Sequence, residues 1–157
     1  MAKEIERKFL VSQLPSSVTH GLQPTPIQQG YLTEDPAGQQ VRIRSKGQHY
    51  YLTVKGRGNL ERDEVEVALT VDQFEALWPL TQGRRIQKKR YALPYRDHTI
   101  ELDVFGGNLT GLVVAEIEFA TVEKSAALKT PDWFGEEVTY DFRYTNSQLA
   151  NLGEIPS

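Results

Sequence analysis

Eight stretches of this chain alternate residue by residue between aliphatic and charged or polar side chains. That period of two restricts the fold to one built from strands with two unlike faces. The stretches are 3–11, 27–33, 40–46, 49–55, 60–69, 84–93, 99–105 and 112–120. Gly47-Gln48, Gly56-Arg57-Gly58-Asn59 and Tyr95-Arg96-Asp97-His98 read as turns, and Gly106-Gly107-Asn108 breaks the chain before the last stretch. Helical periodicity is sparse. Thr70-Val71-Asp72-Gln73 has the form of a capping box, with Phe74, Leu77 and Trp78 following on one face until Pro79. Two further short helices are expected at 122–128 and 146–152. Eight strands and a few short helices in 157 residues predict one mainly β (α+β) domain spanning 1–157. Its expected form is a closed eight-stranded antiparallel β-barrel, because closure removes exposed edges.

The charged positions of these stretches come in pairs. Glu4, Glu6 and Lys8 share one strand face, as do Arg42 and Arg44, Glu64 and Glu66, Lys88 and Arg90, Glu101 and Asp103, and Glu116 and Glu118; Lys55 ends its own strand. Chance at this composition gives roughly 0.6 acid–aliphatic–acid triplets. The chain has four, more than noise supplies. A half-buried sheet with charges turned to water accounts for any one strand. It accounts less well for all of them, since like charges clustered on a strand repel unless cross-strand neighbours neutralise them. The rival arrangement puts the charges inside and the aliphatics outside, under helices. Its interior would hold eight acids against six bases, a net charge of −2. Buried charges persist only when paired or metal-bound, so such an interior needs counter-ions. All-carboxylate ligation favours Mg²⁺ or Mn²⁺ over Zn²⁺. Two such ions would leave a positive interior, suited with its arginine forks and lysines to a compact polyphosphate.

Composition removes other classes. There is no cysteine, which excludes disulfide frameworks, Cys-based zinc sites and thiol nucleophiles. No apolar run approaches the ~20 residues of a membrane span. The charged start of the chain has no signal-peptide character, so a cytoplasmic protein without membrane contact is expected. A net charge of −3 argues against a bulk nucleic-acid binder. Val54-Lys55-Gly56-Arg57-Gly58 lacks the rest of a phosphate-binding loop and reads as a hairpin turn. His20, His49 and His98 read as surface residues, and the Phe74/Leu77/Trp78 stripe as core.

Together these residues resemble the CYTH superfamily, the triphosphate tunnel metalloenzymes, in their short bacterial branch. Glu4-Ile5-Glu6-Arg7-Lys8 matches its N-terminal Glu-x-Glu-x-Lys signature. The paired charges follow in order. The tail Trp133-Phe134-Gly135-x-Glu137-Val138-Thr139 and Arg143-Tyr144-Thr145-Asn146-Ser147 extends the match over essentially the whole chain. The resemblance implies an eight-stranded barrel whose polar tunnel binds a triphosphate and divalent metal. By position, Glu4, Glu6, Glu116 and Glu118 then correspond to metal ligands. Glu64, Glu66, Glu101 and Asp103 would complete a second metal site or hold water, and a carboxylate of the Glu64/Glu66 or Glu116/Glu118 sets would accept a proton. Lys8, Arg42, Arg44, Lys55, Lys88 and Arg90 correspond to the triphosphate clamp, with Lys8, Glu64 and Glu66 expected to be catalytic. Tyr31 and Arg143 are candidates to brace the tunnel, and the segment around Phe74 to plug one end. The activity implied is hydrolysis of inorganic tripolyphosphate with Mg²⁺ or Mn²⁺, two ions being expected. Adenylyl cyclase, thiamine triphosphatase and RNA triphosphatase share the tunnel, and a polyphosphate-binding module is the non-enzymatic alternative. A monomer or homodimer is expected.

Overall fold

The computed structural model describes residues 5–56 and 64–157. The alternating stretches form β1 (Ile5–Leu10), β2 (Thr25–Tyr31), β3 (Gln40–Lys46), β4 (His49–Lys55), β5 (Glu64–Leu69), β6 (Arg85–Tyr95), β7 (His98–Phe105) and β8 (Val113–Phe119). Glu4 and the turn residues Arg57, Gly58 and Asn59 lie outside the described residues. The strands make one antiparallel sheet in the order β1-β8-β7-β6-β2-β3-β4-β5. Four short helices accompany it: α1 (Ser16–Thr19), α2 (Val71–Leu77), α3 (Val122–Ala127) and α4 (Asn146–Leu152). The expected capping box opens α2: the Thr70 hydroxyl accepts from the Gln73 amide, and the Gln73 side chain accepts from the Thr70 amide. α1 was not expected from the sequence, because one turn is too short to show a period.

The two faces resolve the ambiguity of the alternation. The outward-pointing Leu93, Ile100, Leu102, Ala115, Ile117 and Phe119 are buried beneath Val18 of α1, Leu128 and the Trp133-Phe134 pair. The aliphatic face is therefore the one the helices cover, and the charged face is concave. α2 also lies outside, where Phe74 meets Tyr50 and Trp78 with ring centroids 5.1 and 5.2 Å apart. This corrects the expectation that α2 stops the tunnel. α4 does so instead: Leu149 and Ala150 pack with Tyr31, Ile86, Phe105 and Val114 of the concave face at one end of the strands.

The architecture is barrel-like, but no ladder joins its end strands, β1 and β5, among the described residues. The barrel-like fold stands as expected, and among the described residues the Lys8–Leu10 edge of β1 is taken up by another segment. The Gly135 amide donates to the Leu10 carbonyl, the Leu10 amide to the Glu136 carbonyl and the Val138 amide to the Lys8 carbonyl. The Lys8 amide donates to the Thr139 hydroxyl. Residues 135–139 thus occupy the edge β5 would need, and Val65 and Val67 of β5 stay 60% and 47% exposed. Gly135 is required there, since a Cβ would sit 2.8 Å from the Leu10 carbonyl oxygen. Among the described residues no helix is long and apolar enough to cross a membrane.

Candidate active site

The ladder registers carry every expected site residue within the described part onto the concave face. Arg42 lies opposite Tyr31 and Thr53, Arg44 opposite Gln29 and Tyr51, Lys55 opposite Glu64 and Thr53 opposite Glu66. Arg90 faces Asp103, Glu116 faces both Lys8 and Glu101, and Glu6 faces Glu118. The same registers order the charge along the strands. Lys88, Arg42 and Arg90 lie toward α4, while Glu101, Glu116, Glu118 and Glu6 lie toward the β6–β7 hairpin.

The floor is an ion network. Asp103 accepts from Arg90 through Nε at 2.8 Å and a terminal nitrogen at 2.9 Å, and its Oδ2 lies 2.8 Å from Lys88 Nζ. The second terminal nitrogen of Arg90 reaches Glu101 at 2.6 Å. Burial opposes the charge on Asp103, yet Lys88 and Arg90 overcome it and hold its carboxyl well below the usual carboxylate range. For Lys88 burial prevails and the pKa is lowered, although Asp103 pulls the other way. Arg90 is likewise buried, but its hydrogen bonds to Asp103 raise its pKa. Lys88 also donates to Asn146 Oδ1 of α4 at 3.4 Å and lies 5.4 Å from the centroid of Phe105.

The wall carries the uncompensated donors. Arg42 donates to the Thr53 hydroxyl at 3.2 Å, which donates on to Glu66 at 3.1 Å, and Arg44 approaches Glu66 at 3.7 Å. The Nε atoms of Arg42 and Arg44 are buried with no hydrogen-bond partner among the described residues, as is Gln29 Oε1. Burial lowers the Arg44 pKa, and repulsion from Arg42 and Arg90 lowers it further. Tyr31 is pushed up by burial and partly relieved by Arg42 and by its hydrogen bond from Gln29. Two desolvated guanidinium groups this close, each with a free N–H, form a receptor for an oxyanion.

The acids form the remaining part. Lys8 Nζ donates to the Tyr144 carbonyl at 3.2 Å and lies 4.0 Å from Glu116. Burial pushes the Glu116 carboxyl up. A hydrogen bond with Glu6 and the charges of Lys8, Lys88 and Arg90 outweigh that and lower it. Carboxyl groups gathered on facing strands supply oxygen donors that would suit a divalent cation. The donor set therefore fits a hard, oxygen-seeking ion. Among the described residues no three acids or histidines converge as a finished metal cage.

Some expectations are placed elsewhere. Asp103 spends its carboxylate on Lys88 and Arg90. Glu64 is exposed at the end of β5. Arg143 does not face the site; it pairs with Asp141 at 2.6 Å. His20 and His49 are exposed, while His98 packs edge-on against Phe119. Sequence reasoning passed over Gln29, Thr53 and Asn146. The first two could have been read from period two, since they share a face with Tyr31 and with Lys55. Asn146 stands in the matched tail, but nothing local gives it a role in the site.

The CYTH domain family matches residues 2–146. An inorganic triphosphatase of Nitrosomonas europaea is 46% identical over 148 residues, covering 94% of this chain and 96% of that protein. An inorganic triphosphatase of Acetivibrio thermocellus is 41% identical over 152 residues, covering 95% and 94%. The crystal structure of an inorganic triphosphatase superposes with a TM-score of 0.77 at 43% identity, over 100% of this chain and 99% of the other. With strand order, charged concave face and family match in agreement, the chain belongs to the CYTH domain family.

Proposed function

We propose that this protein is a hydrolase that cleaves inorganic tripolyphosphate to pyrophosphate and phosphate. The observation that carries the reading is the pair of buried Nε–H groups of Arg42 and Arg44, unpartnered among the described residues, on the same concave face as the carboxylates of β1, β7 and β8. Cations alone would make a polyanion binder. Carboxylates beside them repel a bare polyanion and make sense when they hold divalent metal. The inorganic triphosphatases at 46% and 41% identity support the same chemistry.

Arg42, Arg44 and Lys8 bind and orient the phosphate oxygens, with Lys55 at the end of β4 extending the clamp. Lys88 and Arg90 supply positive potential from the floor, and Asp103 positions both rather than ligating metal. Glu6, Glu116, Glu118 and Glu101, with Glu4, would hold Mg²⁺ or Mn²⁺, and this number of acids would serve two ions. When bound, the metal neutralises charge on the phosphate oxygens and acidifies water. The water oxygen attacks a terminal phosphorus, the bridging P–O bond breaks and pyrophosphate leaves. Glu66 accepts the water's proton. It stands beside Arg44 and keeps contact with solvent, whereas Asp103 is wholly engaged. Positioning and electrostatics thus do most of the work, as phosphoryl transfer requires.

The test is to incubate the purified protein with tripolyphosphate, and separately with ATP, in Mg²⁺, Mn²⁺ or EDTA. Metal-dependent phosphate and pyrophosphate from tripolyphosphate, with little action on ATP, is the expected result. Cyclic AMP and pyrophosphate from ATP would make the protein a cyclase. Turnover of neither would leave a binding module.

A further inference from the structure

The registers of β3, β4 and β5 set Arg42, Thr53 and Glu66 in one row across three strands. A guanidinium and a carboxylate thus stand two strand spacings apart, about 10 Å at the backbone, with one threonine between them. On the floor the arrangement differs: Arg90 and Asp103 are neighbours on adjacent strands and close into a two-pronged pair. Arg42 and Glu66 meet only through the Thr53 hydroxyl. It accepts from a terminal nitrogen of Arg42 at 3.2 Å and lies 3.1 Å from Glu66 Oε1. A hydroxyl has a single proton, and a guanidinium can only donate. The direction of the chain is therefore fixed, from Arg42 to Thr53 to Glu66. Thr53 is 1% exposed, whereas the Glu66 side chain is 41% exposed. Oε1 of Glu66 also lies 3.7 Å from Arg44, and no hydrogen bond falls on Oε2 among the described residues.

We infer that Thr53 is the positioning residue for Glu66: its buried hydroxyl engages Oε1 and leaves Oε2 to take the proton of the attacking water. The inference rests on the triphosphatase reading and on Glu66 as its proton acceptor. In the step concerned, a water O–H bond breaks and the proton passes to Oε2. The water oxygen forms the new P–O bond, and pyrophosphate leaves with the electron pair of the broken bridge. Thr53 keeps its own proton throughout. The threonine also separates two groups that would otherwise cancel. A direct pair between Arg42 and Glu66 would spend the guanidinium on the carboxylate, as Asp103 does with Arg90. With Thr53 between them, Arg42 keeps its Nε–H unpartnered among the described residues and Glu66 keeps one oxygen clear.

The experiment measures kcat and KM on tripolyphosphate for the wild type, Thr53→Val, Thr53→Ser, Glu66→Gln and the double variant Thr53→Val/Glu66→Gln. Valine keeps the shape of threonine and removes the hydroxyl. The carboxylate remains but is no longer held, so kcat should fall about tenfold with KM within about twofold. Serine restores the hydroxyl and should bring kcat back to within about threefold of the wild type. In the Glu66→Gln background the valine should cost nothing further, because an amide takes no proton however it is held. A rise in KM with kcat unchanged would assign Thr53 to the clamp through Arg42 and overturn the inference. Failure of serine to restore kcat would overturn it as well, and so would an undiminished loss in the Glu66→Gln background. If the wild type hydrolyses no tripolyphosphate, the triphosphatase reading fails instead. Crystal structures of the wild type and Thr53→Val then still decide the positioning: a reoriented Glu66 carboxylate in the variant upholds it, and an unmoved one overturns it.

Discussion

Asp103 and Lys88 face each other across 2.8 Å at the floor of the concave face, and solvent reaches only 5% and 2% of them. Arg90 closes on the same carboxylate from the adjoining ladder position. One anion therefore holds two of the cations that give the site its positive potential.

Replacing Asp103 by Asn should leave Lys88 buried without its 2.8 Å counter-charge and Arg90 with Glu101 as its remaining ion-pair partner. Breaking a buried pair from one side costs about 3 kcal/mol or more. Urea denaturation at neutral pH should show that loss, and kcat should fall because Lys88 and Arg90 are no longer held.

The same group sets an acid limit on stability. Its folded pKa lies below its unfolded value of about 3.9, so its contribution is complete above that pH and declines as pH falls toward the folded value. Lys88 has the opposite consequence: its folded pKa is lowered, so its burial costs stability until pH approaches its unfolded value near 10.4. Denaturation midpoints between pH 2 and 6 should fall steeply for the wild type and less steeply for Asp103→Asn.

Arg44→Ala should separate activity from stability. Its side chain makes one weak approach to Glu66 and is repelled by Arg42 and Arg90. The variant should melt at or above the wild-type temperature while kcat on tripolyphosphate drops on the order of 10²-fold. A folded variant with near-normal turnover would remove Arg44 from the clamp.

Glu116→Gln should raise the Mg²⁺ or Mn²⁺ concentration needed for half-maximal activity by at least about tenfold. An unchanged metal titration would contradict its role as a ligand. Glu4→Gln provides the same test for the acid that precedes β1.

Gly135→Ala would press a methyl group against the Leu10 carbonyl, which is backbone and cannot rotate away. Overpacking of this kind costs about 1–3 kcal/mol. Because residues 138 and 139 hold the main chain of Lys8, turnover should fall along with the denaturation midpoint.

The strands were legible because period two writes itself into the sequence wherever both faces have a fixed environment. Glu101-Leu102-Asp103 and Arg42-Ile43-Arg44 each place a buried aliphatic under the outer layer and two charges within. Which face was inner could not be read from any one strand, only from the recurrence. The occupant of the β1 edge was not legible because edge pairing is a contest between backbones. Gly135–Thr139 carries no strand-like period, yet its backbone takes up the Lys8–Leu10 edge of β1. The plug was assigned to the wrong segment for a related reason. Phe74, Leu77 and Trp78 show an apolar stripe as clearly as Leu149 and Ala150, and nothing local tells which side of a sheet a stripe will meet. Glu101 and Asp103 look interchangeable in sequence. Their difference arises from register, which sets Asp103 level with Arg90 and Glu101 level with Glu116.

The sequence of charge along the strands, carboxylates toward the hairpin and guanidinium groups toward α4, acts as a filter on what arrives from that side. Free tripolyphosphate has to pass Glu101 and Glu118, which share the mouth with Arg96, Lys124 and Lys129, before it meets Arg42 and Arg44. Once divalent ions have masked part of its charge, the same molecule passes with less opposition. The form admitted is then the ion-loaded complex. Raising tripolyphosphate above the available metal should therefore slow the enzyme rather than saturate it.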